Sequence, residues 1–170
     1  VPHRKIWSEY RFPSGFLLLL PFCVWPSVRA FHKGCSGWPR PWVKRKPSPD
    51  FDWGIVLKET NTVIGMIAVF DIQNSRMGDV GYRIHPEYWN MGITTEALKE
   101  VVRFIFENTE IERLNGRADV RNIASNKVLE RCGFIKEGTI RQGKMVSVYC
   151  DYNIYGMLRN DYEGLQRKNS

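Results

Sequence analysis

At 170 residues the chain is long enough for one hydrophobic core and too short for several domains of ordinary size. Its composition, 43% apolar and 25% charged, is that of an ordinary globular protein rather than a disordered or fibrous one. The net charge of +7 sits entirely in residues 1–50, which hold nine Lys/Arg and two Asp/Glu, while residues 51–170 hold sixteen of each and so offer no basic nucleic-acid face.

The first 50 residues also carry eight of the nine prolines and four of the six tryptophans. That spacing of Pro leaves no helical or alternating period. The apolar run Phe16–Trp25 is shorter than the roughly 20 residues a bilayer requires, so no membrane association is expected. Arg4, Lys5 and Arg11 precede it as they would a signal peptide, but Pro21 interrupts the run and no small-x-small site follows. Residues 1–50 thus read as an atypical Pro/Trp-rich segment, set apart from a folded unit over residues 51–170.

From residue 51 the pattern becomes regular. Trp53–Lys58 and Val63–Ile72 read as a hairpin around a polar turn at Glu59–Thr62, and Asp79–Ile84 as a third strand closed by His85-Pro86. A helix follows, capped at Thr94 or Thr95, with Ala97, Leu98, Val101, Val102, Ile105 and Phe106 on one buried face. Leu114–Val120 alternates as a strand. Asn122 caps a second helix that Gly133 stops. Phe134–Thr139 and Val146–Leu158 are the closing strand candidates. The order strand, strand, strand, helix, strand, helix, strand, strand defines a mixed α/β (α+β) layered protein.

Chemistry is concentrated where the third strand runs into the first helix, over His85-Pro86-Glu87-Tyr88-Trp89-Asn90-Met91-Gly92-Ile93-Thr94-Thr95-Glu96-Ala97. A helix start has unpaired N–H groups and partial positive charge, and so attracts phosphate; Gly92 lets the backbone come close to it. A lone glycine in a strand-to-helix turn is more often just a turn. Cys23, Cys35, Cys132 and Cys150 show no C-x-x-C pair and no metal-ligand spacing with the three histidines, so no metal site is expected. Unpaired thiols fit a reducing, cytoplasmic location. Cys132 and Cys150 lie in core-like patterns and read as buried thiols, and Trp89 reads as a packing residue.

Trp89, Gly92, Ile93, Thr95, Glu96 and Ala97 resemble the acyl-CoA pyrophosphate loop of GNAT acetyltransferases, specifically the ribosomal-protein-alanine N-acetyltransferase-like subgroup. Asn90 and Met91 depart from it, removing one glycine and one cation. A second run, Asn122-Ile123-Ala124-Ser125-Asn126-Lys127-Val128-Leu129-Glu130-Arg131-Cys132-Gly133-Phe134, is similar to the subgroup's Asn-x-Ala-Ser-x-x-Val-Leu-Glu-Lys-x-Gly-Phe. Glu137-Gly138, Arg141 and Asp151 continue the likeness, which covers roughly residues 53–159.

The resemblance implies a mostly antiparallel sheet whose central strands, Asp79–Ile84 and Leu114–Val120, splay apart around acetyl-CoA, with the family's front strand and helices atypical or missing here. It implies Ile84 and His85 beside the pantetheine arm, and Asn90, Met91, Gly92, Ile93, Thr94 and Thr95 beside the pyrophosphate. Asn122 would fix the arm from the other side. The implied reaction is transfer of the acetyl group to a primary amine, a protein N-terminus (ribosomal or other) or a small amine. Asp79 falls at the family's general-base position. The tyrosine that many members use as acid is replaced by Leu129, and Ser125 takes the subgroup's acid position. Each of these residues also has a plain structural role open to it: Asp79 as a turn carboxylate, Ser125 as a first-turn hydroxyl, Asn122 as a cap, and His85 as a packing or solvent-facing residue.

Two other functions compete. Loss of the front acceptor lobe would leave a non-catalytic acyl-CoA-binding module, and Arg40, Lys44, Arg45 and Lys46 could serve a basic nucleic-acid-binding tail. The absence of the family's front helices also admits a frame fault over residues 1–50, because a shifted codon reading around Trp38 and Trp42 permits a stretch like the subgroup's helix start. The alternatives for this segment are disorder or a divergent extension. A homodimer fits the likeness, and the hairpin beginning near Trp53 is expected to lack its usual edge partner.

Overall fold

The computed structural model describes residues 10–11, 16–19, 51–57, 60–145 and 147–169. The frame-fault, disorder and basic-tail expectations fall almost wholly outside these residues. Eight strands form one sheet among them: β1 (Tyr10–Arg11), β2 (Phe16–Leu19), β3 (Phe51–Leu57), β4 (Thr62–Gln73), β5 (Met77–Ile84), β6 (Arg113–Asp119), β7 (Ile135–Met145) and β8 (Val148–Leu158). Helix α1 (Ile93–Asn108) joins β5 to β6, α2 (Ile123–Arg131) joins β6 to β7, and α3 (Arg159–Asn169) follows β8. The strand order is β1-β2-β3-β4-β5-β6-β8-β7. Neighbours are antiparallel except β5 and β6. The parallel pair follows from its connection, since a strand-helix-strand crossover returns the chain in the same direction.

One face of the sheet carries the core. Trp53, Ile55, Ile67, Val69, Val80, Leu114, Ala118, Tyr155 and Met157 point inward and are buried. They meet Leu98, Val101 and Ile105 of α1, Leu129 of α2 and Tyr162 of α3 in a single cluster. The six apolar positions assigned to α1's buried face are all buried. Gly116 of β6 has a packing reason: a Cβ there would stand 2.7 Å from Leu129 Cδ2, so its bareness lets α2 lie close to the sheet. The opposite face of β5 and β6 presents Asp79, Arg113, Asn115, Arg117 and Asp119, the period-two complement of the inward set.

Three local expectations are corrected. First, α1 begins at Ile93, with Gly92 as its N-cap at φ 78°, not with Thr94 or Thr95. The left-handed glycine turns the chain early, and Glu96 N–H bonds Gly92 O at 3.1 Å. Second, the last strand is followed by a helix, Arg159–Asn169, that the strand reading of Val146–Leu158 did not anticipate. Third, β3 does not stand at the sheet edge, because Phe16–Leu19 pairs antiparallel with Gly54–Leu57.

The ends of α1 and α3 are tied together through one arginine. Arg159 donates to the carbonyls of Phe106, Thr109 (2.8 Å) and Ile111 (2.6 Å), and its guanidinium lies 5.5 Å from the Phe106 ring centre. These are carbonyls that a helix end and its following turn leave without intrahelical partners.

Candidate active site at the splayed strands

β5 and β6 pair only over Met77↔Arg113, Gly78↔Leu114, Asp79↔Asn115 and Val80↔Gly116. Beyond Val80 and Gly116 both strands continue, to Ile84 and Asp119, without pairing to each other. The gap between them is the splay. His85 N–H donates to Ile64 O at 2.8 Å on the β4 side. By the alternation of an antiparallel ladder, the backbone groups of Ile84 and Tyr82 therefore face the β6 side, into the gap. Backbone groups so placed need a partner from outside the sheet.

The loop after β5 frames one end of the gap. Pro86–Tyr88 makes a turn of 3-10 helix with His85 as its cap, and His85 Nδ1 accepts from Glu87 N at 3.4 Å. Trp89 is not the packing residue expected: it is 60% exposed, and its indole Nε1 donates to Ile84 O at 3.1 Å. Asn90 (φ 61°) and Gly92 (φ 78°) both take left-handed backbone, which swings the chain into α1. Gly92 gives the first-turn N–H groups of Ile93, Thr94 and Thr95 no side-chain cap, and a Cβ on Gly92 would meet nothing within 4 Å. An uncapped, partially positive helix start opening on free space suits a phosphate ligand.

The turn from β6 into α2 frames the other side. Asn122 Oδ1 accepts from Ser125 N at 3.1 Å, the N-cap bond expected of it. Behind this turn lies a buried polar knot that the sequence reading did not find. Asn126 Nδ2 donates to Asp119 O (2.9 Å) and Asn122 O (2.7 Å). Its Oδ1 accepts from Asn153 Nδ2 (2.7 Å) and Tyr155 OH (2.8 Å). Asn153 is held in turn by Thr139 Oγ1 at 2.7 Å, and Tyr155 OH also reaches Glu130 at 3.1 Å. Nearby, Arg121 pairs with Asp119 and holds its carboxyl well below the usual range.

Ser125 faces the gap and meets Tyr82 there. The phenol oxygen lies 2.9 Å from Ser125 Oγ and 3.0 Å from Ser125 O. Burial pushes the Tyr82 phenol up to about 12. Tyr82 was also missed by the sequence reading. Its signal was its period-two alternation with Val80, which aims it at the helices in the unpaired part of β5.

Asp79 lies on the other face of the sheet, where the pairing of β5 and β6 is ending. Asn115 Nδ2 donates to its Oδ1 at 3.1 Å, and Arg117 forms an ion pair with its Oδ2. The Asp79 carboxylate raises the Arg117 guanidinium above its ordinary value. Arg113 extends the array, donating to Asn115 Oδ1 at 2.6 Å and to Glu137 Oε2 at 2.5 Å. Its guanidinium lowers the Glu137 carboxyl. The structure thus brings Ile84, Gly92, Asn122 and Ser125 around one gap and sets Asp79 across the sheet from Ser125.

Cys132 and Cys150 are buried, as expected. Burial raises the Cys132 thiol to about 12, far from a nucleophile's range. No cluster of three metal-ligating side chains occurs among the described residues, and none of their helices is long and apolar enough to cross a membrane.

Comparison with known proteins places this geometry in a family. A model described as Acetyltransferase (GNAT) domain matches residues 20–135, from upstream of β3 to the start of β7. The chain is 33% identical over 109 residues to the uncharacterized N-acetyltransferase YoaA of Bacillus subtilis (strain 168), covering 63% of this chain and 62% of YoaA. It is 28% identical over 106 residues to the ribosomal-protein-serine acetyltransferase of Escherichia coli (strain K12), covering 61% and 59%. The crystal structure of ribosomal-protein-S5-alanine acetyltransferase from Vibrio fischeri superposes with a TM-score of 0.69 at 20% identity, over 91% of this chain and 98% of that one. These two curated relatives are each matched over about three-fifths of their length. The chain belongs to the GNAT acetyltransferase domain family.

Proposed function

We propose that the chain transfers the acetyl group of acetyl-CoA to a primary amine by direct attack, with residues 51–170 forming the catalytic domain. The observation that carries this reading is the unpaired stretch of β5 and β6 beside an uncapped helix start. It offers inward-facing backbone groups for an extended amide-bearing arm and a positive end for a pyrophosphate. Ile84 and His85 would line the arm, Asn90 to Thr95 the pyrophosphate, and Asn122 the opposite wall.

An attacking amine must shed a proton, and the departing sulfur must gain one. Asp79 is the base in this reading and Ser125 the acid, on opposite faces of the sheet, where the splay begins. Both Asp79 oxygens are already engaged, but a carboxylate has about four acceptor positions, so an amine proton can still be taken. The name of the Escherichia coli relative favours a protein N-terminus as acceptor; a small amine is the alternative. That same engagement of Asp79 by Asn115 and Arg117 favours the second reading, a non-catalytic acyl-CoA-binding module.

One experiment separates them. The purified chain is incubated with acetyl-CoA and a panel of N-terminal peptides and small amines, and free thiol is measured alongside calorimetric binding. Amine-dependent thiol release supports the transferase. Binding without release supports the module, and the absence of both binding and release would overturn both readings.

A further inference from the structure

Resting on the reading of Ser125 as the acid, we propose that Tyr82 is its positioning residue, holding the serine hydroxyl in place and replacing the proton it gives up. Tyr82 is the inward-facing residue of β5 two positions past the last pair with β6, so its side chain spans the gap that a substrate thioester would enter. Its oxygen contacts Ser125 twice, at the hydroxyl and the carbonyl. Ser125 N–H is meanwhile held by the Asn122 cap. With its backbone fixed by the cap and its hydroxyl paired with the phenol, Ser125 Oγ is held at one position on the gap.

Serine alone is a poor acid, because loss of its proton leaves an alkoxide. A phenol, even one that burial pushes up to about 12, is a better place for that charge than a serine alkoxide. As the carbon–sulfur bond breaks, its electron pair goes to sulfur. The Ser125 proton moves to sulfur, and the Tyr82 O–H, which donates to Ser125 O at 3.0 Å, turns to Oγ at 2.9 Å and gives its proton there. Tyr82 then regains a proton from water, which balances the one the amine released. Burial keeps Tyr82 protonated throughout the neutral range, so the donor is always loaded.

The test is a double-mutant cycle on the full chain, Tyr82→Phe, Ser125→Ala and the pair, read as kcat, acetyl-CoA KM and thermal midpoint. Tyr82→Phe should lower kcat about 10- to 100-fold, below the full range of acid–base effects, with KM within about two-fold. The double variant should be no slower than the slower single one, because the two act as one unit. If Ser125→Ala slows turnover while Tyr82→Phe does not, or if the losses multiply, the role of Tyr82 is overturned and Ser125 stands. If Ser125→Ala turns over normally, the acid reading itself fails. A fluorinated tyrosine at position 82 guards against a folding defect: it should move the alkaline limb of the kcat profile to lower pH, and an unmoved limb would overturn the relay.

Discussion

Asn126 and Asn153 meet side chain to side chain at 2.7 Å, joining α2 to β8 inside the protein. Both are buried, and Asn126 spends its two N–H donations on the carbonyls of Asp119 and Asn122. The pair thereby links β8, the neighbour of β6, to the turn that presents Asn122 and Ser125.

Asn126→Ala should therefore act on stability and site together. Stranding a buried group costs about 1–3 kcal/mol; the substitution strands Asn153 Nδ2, while the carbonyls of Asp119 and Asn122 keep the backbone N–H groups of Asn122 and Asn126. We expect a loss of about 1–3 kcal/mol in urea unfolding, and acetyl-CoA affinity lowered in the fraction that remains folded. Unchanged unfolding midpoints would show that water takes over these bonds.

Gly92 separates backbone strain from ligand contact. At φ 78° an alanine costs about 1–2 kcal/mol, yet its methyl would meet nothing within 4 Å. Gly92→Ala should lower the melting temperature and still bind acetyl-CoA. Gly92→Glu places bulk and negative charge at the helix start and should abolish binding by calorimetry. A folded Gly92→Glu protein with native affinity would remove the pyrophosphate from this loop.

Asp79→Asn and Ser125→Ala test the two proton carriers. Each should lower kcat by about 10- to 1000-fold, since acid–base terms typically span 10²–10⁴, with little change in acetyl-CoA affinity. Asp79→Asn also breaks the charge pairing with Arg117, so Arg117→Ala serves as its control. If Arg117→Ala slows turnover as much as Asp79→Asn does, the carboxylate's part is to order the strand pair. Native kcat in Asp79→Asn would exclude it as the base.

The elements with strong periodicity were legible in the sequence. The buried stripe of α1 and the Asn122 cap follow from local rules that tertiary contacts did not override. The start of α1 was misplaced because Thr94 and Thr95 are better caps than Gly92 by composition, while the left-handed turn at Asn90 to Gly92 decided the matter. Helix α3 was hidden because only Tyr162 is buried among its described side chains; Leu165 and the Glu163–Arg167 pair at i, i+4 were its signal. Tyr82 and Asn126 escaped because their roles depend on partners 43 and 27 positions away, Ser125 and Asn153. No spacing rule along the chain reaches such pairs.

Alkaline pH supplies the last prediction. Burial is the leading cause that lifts the phenols of Tyr82 and Tyr162 to about 12, and Tyr162 also donates to Glu107 at 2.9 Å. In the unfolded chain a tyrosine ionises near pH 10. Below about pH 10 both states keep the phenol protons, and the full stability is present. Between about pH 10 and 12 the unfolded chain binds fewer protons than the folded one, so stability falls as pH rises. Urea midpoints should therefore drop steadily across that window, and ultraviolet titration of the native protein should show delayed ionisation of these phenols. Tyr82→Phe and Tyr162→Phe should each flatten the drop, and their double variant should flatten it further, since the two rings sit on different helices' packing and do not touch the same partners. A midpoint that falls as steeply in the double variant as in the wild type would assign the alkaline loss to other groups.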